Sequence, residues 1–249
     1  YFFCDVKTSY SQNTKDTLLK QNEHFSNAGY FSVENSPRKT LNFNIGWRFF
    51  KGSVEGAYKE NFDDNSWEGV DLPHGLEILG DNASGGRNYQ GEAWYRKKFK
   101  ISDSARNARL FIYFEGIMGK SKVWINGKEI VSHYGGYLPF AADITDVVRR
   151  GNNDNTIAVL ADNLDDTSYP PGKQLSGLDF SYFGGIYRDV YLISTPSVYI
   201  TLPQLSKTVA SGGVFAATLS AKGNKADIAV KTEICNSEAE PKRTKLVTT

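Results

Sequence analysis

An all-β fold is predicted by three features of the chain. Short apolar and aromatic runs alternate with period two. The pair Asn126-Gly127 separates two such runs, and aromatic residues make up 13% of the sequence beside 23 glycines and one methionine, a mix that suits sheet surfaces joined by tight turns. The prediction centres on residues 109–150. Leu110, Ile112 and Phe114 share one face of a strand there and Phe111 and Tyr113 the other; with both faces apolar, the strand belongs inside a sheet. Residues 122–125 and 128–131 flank Asn126-Gly127, which accepts the positive φ at both central positions of a type I′ hairpin turn. After a bend at Gly135-Gly136, Asp143 is expected to cap a short helix over 144–148, with Arg149 and Arg150 at its negative end and Gly151 to stop it.

The other elements follow in order. Residues 5–40 are rich in Ser, Thr, Asn and Lys without a sustained period, which makes 1–40 an arm with at most a helical turn near Thr17-Leu18-Leu19. Leu41, Phe43 and Ile45 alternate and Trp47, Phe49 and Phe50 resume after Gly46, which reads as one strand bent at the glycine. Residues 62–67 place Asp63, Asp64, Asn65 and Ser66 between Phe62 and Trp67, the pattern of a helical turn that pins Trp67 to the core. Residues 74–92, centred on Asp81-Asn82-Ala83-Ser84-Gly85-Gly86, are too broken for an element and too long for a hairpin, the profile of a functional loop. A strand over 94–101 should turn Tyr95 and Phe99 inward and Arg96, Lys98 and Lys100 outward, and another over 156–161 should put Ile157 and Val159 on one face. A second long insertion, 162–185, carries Asp162, Asn163, Asp165, Asp166, Pro170-Pro171, Asp179, Tyr182 and Phe183 and ends in Gly184-Gly185 before a strand over 186–193. At Thr195-Pro196 the composition shifts from aromatic to Ser/Ala/Thr/Val. Three alternating strands follow, over 198–202, 214–220 and 228–234, fewer than half of the roughly seven that an immunoglobulin-type sandwich needs. The 249 residues are therefore expected to be a piece of a longer polypeptide: an arm (1–40), one large β domain (41–195) and the start of a second (196–249).

Composition narrows the partners. A net charge of +1 provides no field for nucleic acid or anionic lipid, and no run approaches the ~20 apolar residues of a membrane span. Cys4 and Cys235 lie too far apart in sequence to suggest a disulfide framework or metal-ligand spacing, and His24, His74 and His133 are too scattered for a metal site. Asp162, Asp165 and Asp166 suit a cation less well than a solvated acidic loop. Trp47, Trp67, Trp94 and Trp124 lie in or beside strands, where packing is favoured, so Tyr182 and Phe183 are the better rings for stacking on a ligand. Glu92 and Glu115 have no spacing that positions a water or a leaving group between them. An aromatic start, Tyr1-Phe2-Phe3, is a poor remnant of a signal-cleavage site and lends export no support.

Seven motifs occur in one order: Leu72-Pro73-His74-Gly75, Trp94-Tyr95-Arg96-Lys97-Lys98-Phe99, Phe114-Glu115-Gly116, Val123-Trp124-Ile125-Asn126-Gly127-Lys128, Gly136-Tyr137-Leu138-Pro139-Phe140, Asp143-Ile144-Thr145 and Gly184-Gly185-Ile186-Tyr187-Arg188-Asp189-Val190. Across residues 40–195 this order resembles the N-terminal sugar-binding domain of glycoside hydrolase family 2, the β-galactosidase family. The resemblance implies a jelly-roll β-sandwich, then an immunoglobulin-like domain that residues 196–249 begin, then a (β/α)₈ barrel. It implies retaining cleavage of β-glycosides by two glutamates on that barrel, so this chain alone is expected to be inactive. It places Asp179 where family members carry an aspartate that contacts substrate hydroxyls and a bound sodium ion, and matches Asn82 less well to an asparagine that touches the sugar ring. No cofactor is expected for this piece itself, with Na⁺ the candidate ion of the full enzyme. The expected partners are a β-galactoside-type glycan, the downstream domains of the same polypeptide and, with oligomeric state unspecified by the sequence, further copies of itself; the expected location is periplasmic or extracellular. Rival readings are a β-glucuronidase or β-mannosidase of the same family, a self-sufficient carbohydrate-binding module, and a structural brace.

Overall fold

The computed structural model describes residues 36–76, 89–178, 182–206 and 212–247. The expected turn near Thr17, with Cys4 and His24, lies outside them. The regular secondary structure of the described residues is nearly all strand, joined by turns and loops, with three short 3₁₀ turns at Asp103–Ala105, Leu175–Gly177 and Pro203–Leu205. Ten strands build a two-layered sandwich: β1 (Lys39–Asn42), β2 (Trp47–Lys51), β3 (Glu68–Val70), β4 (Glu92–Phe99), β5 (Arg109–Phe114), β6 (Lys120–Ile125), β7 (Lys128–Tyr134), β8 (Phe140–Asp143), β9 (Asn155–Asp162) and β10 (Val190–Thr195). One sheet runs β3-β2-β4-β9-β6-β7 and the other β1-β10-β5-β8, every pairing antiparallel. Their facing sides form one apolar core. Trp47, Phe49, Tyr95, Val123, Ile157 and Val159 come from the larger sheet and Leu110, Ile112, Phe114, Val190 and Leu192 from the smaller.

Strand β5 is interior, as its two apolar faces require: Leu110, Ile112 and Phe114 enter the core while Phe111 packs under Tyr191, Ile193 and Leu202 on the outer face. The hairpin β6–β7 turns at Asn126 (φ 52°) and Gly127 (φ 80°), the left-handed pair of a type I′ turn. Asn126 also donates from Nδ2 to the Val147 carbonyl and to Asn155 Oδ1, and accepts from Thr156 N–H, so the turn residue is tied to the β8–β9 connection and to the start of β9.

Four expectations are corrected. Residues 41–50 are two strands in two different sheets rather than one bent strand; Gly46, at φ +78°, is the corner where the chain crosses between layers. The helix over 144–148 is a single turn, with Val147 and Val148 N–H on the Ile144 carbonyl and Asp143 accepting from Thr145 N–H, because the chain must rise at once into the bridge at Arg150. Residues 62–67 close as turns, Trp67 N–H reaching the Asp64 carbonyl at 3.1 Å, and Trp67 is nonetheless buried. Arg96 points to the outer face of β4 but is not solvated. Residues 57–64 fold over it, its Nε meets Asp64 Oδ2 at 2.8 Å, and Nη1 donates to the Ala57 and Lys59 carbonyls. That cover also encloses Trp67, Trp94 and Trp124, while Trp47 is in the main core with Nε1 on the Phe43 carbonyl at 2.9 Å.

Beyond the sandwich, β11 (Val198–Ile200) pairs with β14 (Ile234–Asn236), and β12 (Val214–Lys222) pairs with β13 (Lys225–Thr232) as a two-stranded ribbon. Tyr199 and Leu202 lean on the outer face of the smaller sheet.

Candidate functional site

Both long insertions rise from one edge of the sandwich, and their described stems are joined there. Leu76 N–H donates to the Gly184 carbonyl (3.1 Å) and His74 N–H to the Ile186 carbonyl (2.8 Å). Asn163, at the exit of β9 and 1% exposed, turns its amide toward the other stem: Oδ1 accepts from Gly91 N–H at 2.9 Å and Nδ2 donates to the Tyr89 carbonyl at 2.8 Å. Gly184 passes over that amide with no room for a side chain, since a Cβ there sits 2.4 Å from Leu76 Cδ1 and 2.6 Å from Asn163 Nδ2. Gly185 adopts φ +97° against the Tyr95 hydroxyl, which also meets His74 Nδ1 at 2.9 Å. The glycine pair thus brings the second insertion down onto the first by close backbone approach.

The three aspartates of the second insertion have separate duties. Asp162 Oδ1 accepts from Leu164 N–H. Asp165 Oδ1 accepts from Gln90 Nε2 (2.7 Å) and from the Tyr182 hydroxyl (3.1 Å), a second link between the stems. Asp166 pairs with Lys120 at 2.7 Å and accepts from Ser168, and these donors hold its carboxyl well below the usual carboxylate range. Among the described residues no group of three or more His, Cys, Asp or Glu is arranged to hold a metal ion.

Of the expected site residues, Asp179 and Asn82 lie outside the described residues. Tyr182 is buried against Met118, Leu178 and Tyr187, and burial together with Asp165 pushes its phenol up to about 12. Phe183, 37% exposed and beside Gly75, is the ring of the pair that offers a face to solvent. A small cleft is lined by Met118, Asn163, Leu164, Asp166, Tyr169 and Tyr182, and Phe183 is not part of its wall. Glu92 opens β4 of the larger sheet while Glu115 follows β5 of the smaller, and burial and Asp189 raise the Glu115 carboxyl. Sequence reasoning passed over Asn163, Gln90 and His74 as joints of this edge; an asparagine directly after an apolar strand was the one local signal for the first.

Comparisons with known proteins place the sandwich in a family. The model of the family "Glycosyl hydrolases family 2, sugar binding domain" matches residues 53–196. The chain is 36% identical over 178 residues to a β-galactosidase of Thermoanaerobacter pseudethanolicus, covering 70% of this chain and 24% of that protein. It is 33% identical over 228 residues to a β-glucuronidase of Formosa agariphila, covering 87% and 23%. The crystal structure of a Bacteroides uniformis β-glucuronidase superposes with a TM-score of 0.71 at 29% identity, over 82% of this chain and 23% of that one. The chain thus spans about a quarter of the length of the relatives it matches. A family model that covers more than half of the residues, on a sandwich whose strand order and joined insertions carry the seven motifs, shows that the chain belongs to glycosyl hydrolase family 2 and contains that family's sugar-binding domain.

Proposed function

We propose that these residues are the accessory N-terminal part of a retaining β-glycosidase acting on β-galactosides, and that their joined insertions complete the terminal-sugar end of a pocket whose two catalytic glutamates lie on a downstream barrel. The observation that carries this reading is the edge itself. A sandwich needs no such joint for its own core, yet a buried asparagine, two glycines without room for a Cβ and a Gln–Asp–Tyr chain hold both insertions together, with Phe183 presenting an exposed ring beside them. On this reading Asp179 and Asn82 contact sugar hydroxyls, Na⁺ binds at Asp179, residues 196–249 open an immunoglobulin-like domain, and the enzyme works outside the cytoplasm.

A β-glucuronidase is the second reading, favoured by the Formosa agariphila relative, whose alignment covers 87% of the chain at 33% identity. Assay of the longer polypeptide on chromogenic β-galactosides, β-glucuronides and β-mannosides separates the two. The expected result is galactoside hydrolysis with retention by the longer protein and none by residues 1–249 alone. Turnover by the 249 residues unaided overturns the proposal, and a longer protein that cleaves only glucuronides transfers it to the second reading.

A further inference from the structure

We infer that Asn163 is a positioning residue: its carboxamide clasps the stems of the two insertions and sets the sugar-facing edge, which rests on the function proposed above. Three observations meet at this side chain. It is buried, although asparagine seldom is, and both halves of its amide are used across a separation of more than seventy residues, the oxygen on Gly91 N–H and the nitrogen on the Tyr89 carbonyl. Gly91 N–H and the Tyr89 carbonyl receive a matched acceptor and donor that, among side chains of this size, only an amide supplies without first taking up a proton. The backbone of Gly184 closes over it at a distance only glycine permits, so the amide meets the exit of the second insertion as well as the exit of the first. Gln90 reinforces the joint from the surface, donating to Asp165 Oδ1 at 2.7 Å and to the Asn163 carbonyl at 3.4 Å. The clasp touches no reacting group; it acts through the placement of the segments it joins.

The chemistry makes a specific test available. Asn163→Asp is nearly isosteric. When ionised it keeps an acceptor for Gly91 N–H but turns a second oxygen on the Tyr89 carbonyl; when protonated it regains a donor, and burial raises the pH at which that happens. In the longer polypeptide, assayed on a chromogenic β-galactoside, Asn163→Asp is expected to raise KM about tenfold at neutral pH with kcat nearly unchanged, the size of one lost buried hydrogen bond. The excess over wild type should shrink toward unity as pH falls to about 5, whereas Asn163→Ala should show an excess that does not depend on pH. A KM unchanged at both pH values overturns the clasp, as does an excess for Asn163→Asp that acid does not relieve. Gln90→Ala, at a half-buried surface position, keeps the inference open to refutation if the Asn163 variants do not fold: about a threefold rise in KM supports it and no change overturns it. Phe183→Ala and Asp179→Ala, measured alongside, distinguish the two levels. If neither alters KM, the sugar-facing role of the edge fails; if either does while Asn163→Asp and Gln90→Ala do not, only the clasp fails.

Discussion

Lys97 shows how far a single side chain can depart from its residue type. It lies on the core face of β4, between Tyr95 and Phe99, and its ammonium donates to the carbonyls of Phe43 (3.0 Å) and Ile45 (2.7 Å) while resting 3.9 Å from the centre of the Phe43 ring. The aliphatic stem fills core volume and the head donates to two carbonyls of the corner between β1 and β2, sharing that of Phe43 with Trp47 Nε1. Burial lowers its pKa to about 7, against the partial support of Asp71. Between about pH 7 and the ordinary lysine range, the unfolded chain therefore binds a proton here that the folded chain does not, so stability rises with pH across that window and is flat below it. The urea midpoint is expected to increase from pH 7 to 9 in the wild type and to lose that slope in Lys97→Met; equal slopes would refute the assignment. Above this range the buried Tyr95 phenol, raised by burial, brings the opposite trend. Arg96, its neighbour, was expected in solvent by alternation alone. Alternation names the face of a strand but not what covers that face, and here residues 57–64 do.

At the scale of elements, the glycines mark where two backbones touch. Gly119, at φ +86° just before β6, is the tightest: a Cβ there lies 2.1 Å from the Asp162 carbonyl oxygen at the end of β9. Gly119→Ala is expected to destabilise the fold by about 3 kcal/mol, combining left-handed strain with a clash against backbone that cannot rotate away. Urea unfolding measures the loss, and a change below about 1 kcal/mol would show that the β6–β9 junction yields. Strands with period-two patterns were legible from sequence, as was the Asn126-Gly127 turn, because side-chain alternation and positive φ are local properties. Three strands were not. Glu68–Val70, Phe140–Asp143 and Ile234–Asn236 are three or four residues long, too short to show a period, and exist because β2, β5 and β11 offer them an edge; the last was read as the end of a strand over 228–234. The helix over 144–148 failed for the converse reason: its caps are real, but one turn fills the distance between β8 and the bridge of Arg150 to Ile101.

For the whole molecule, the contrast is between a filled sandwich and a ribbon without a second layer. Register places Val214, Ala216 and Thr218 with Ile228, Val230 and Thr232 on one uncharged face of β12–β13, while the other carries Lys225, Asp227 and Lys231; Val214, Ile228 and Val230 are exposed. A two-stranded ribbon without a packed face is marginal in water. Hydrogen exchange on residues 1–249 should therefore show amides of β12 and β13 exchanging orders of magnitude faster than those of β4, β5 and β9, and equal protection would show that the ribbon's apolar face is covered.

The sequence by itself determined the all-β class, the order of the main strands, the hairpin turn and the family, because periodicity, turn chemistry and motif order are written along the chain. Only the tertiary structure decided that the two insertions share one edge, that Asn163 joins them, that Arg96 and Lys97 are interior, and that Tyr182 is packed while Phe183 faces solvent. Those outcomes depend on which distant backbone groups need a donor or an acceptor once buried, and that need arises only when the layers have closed.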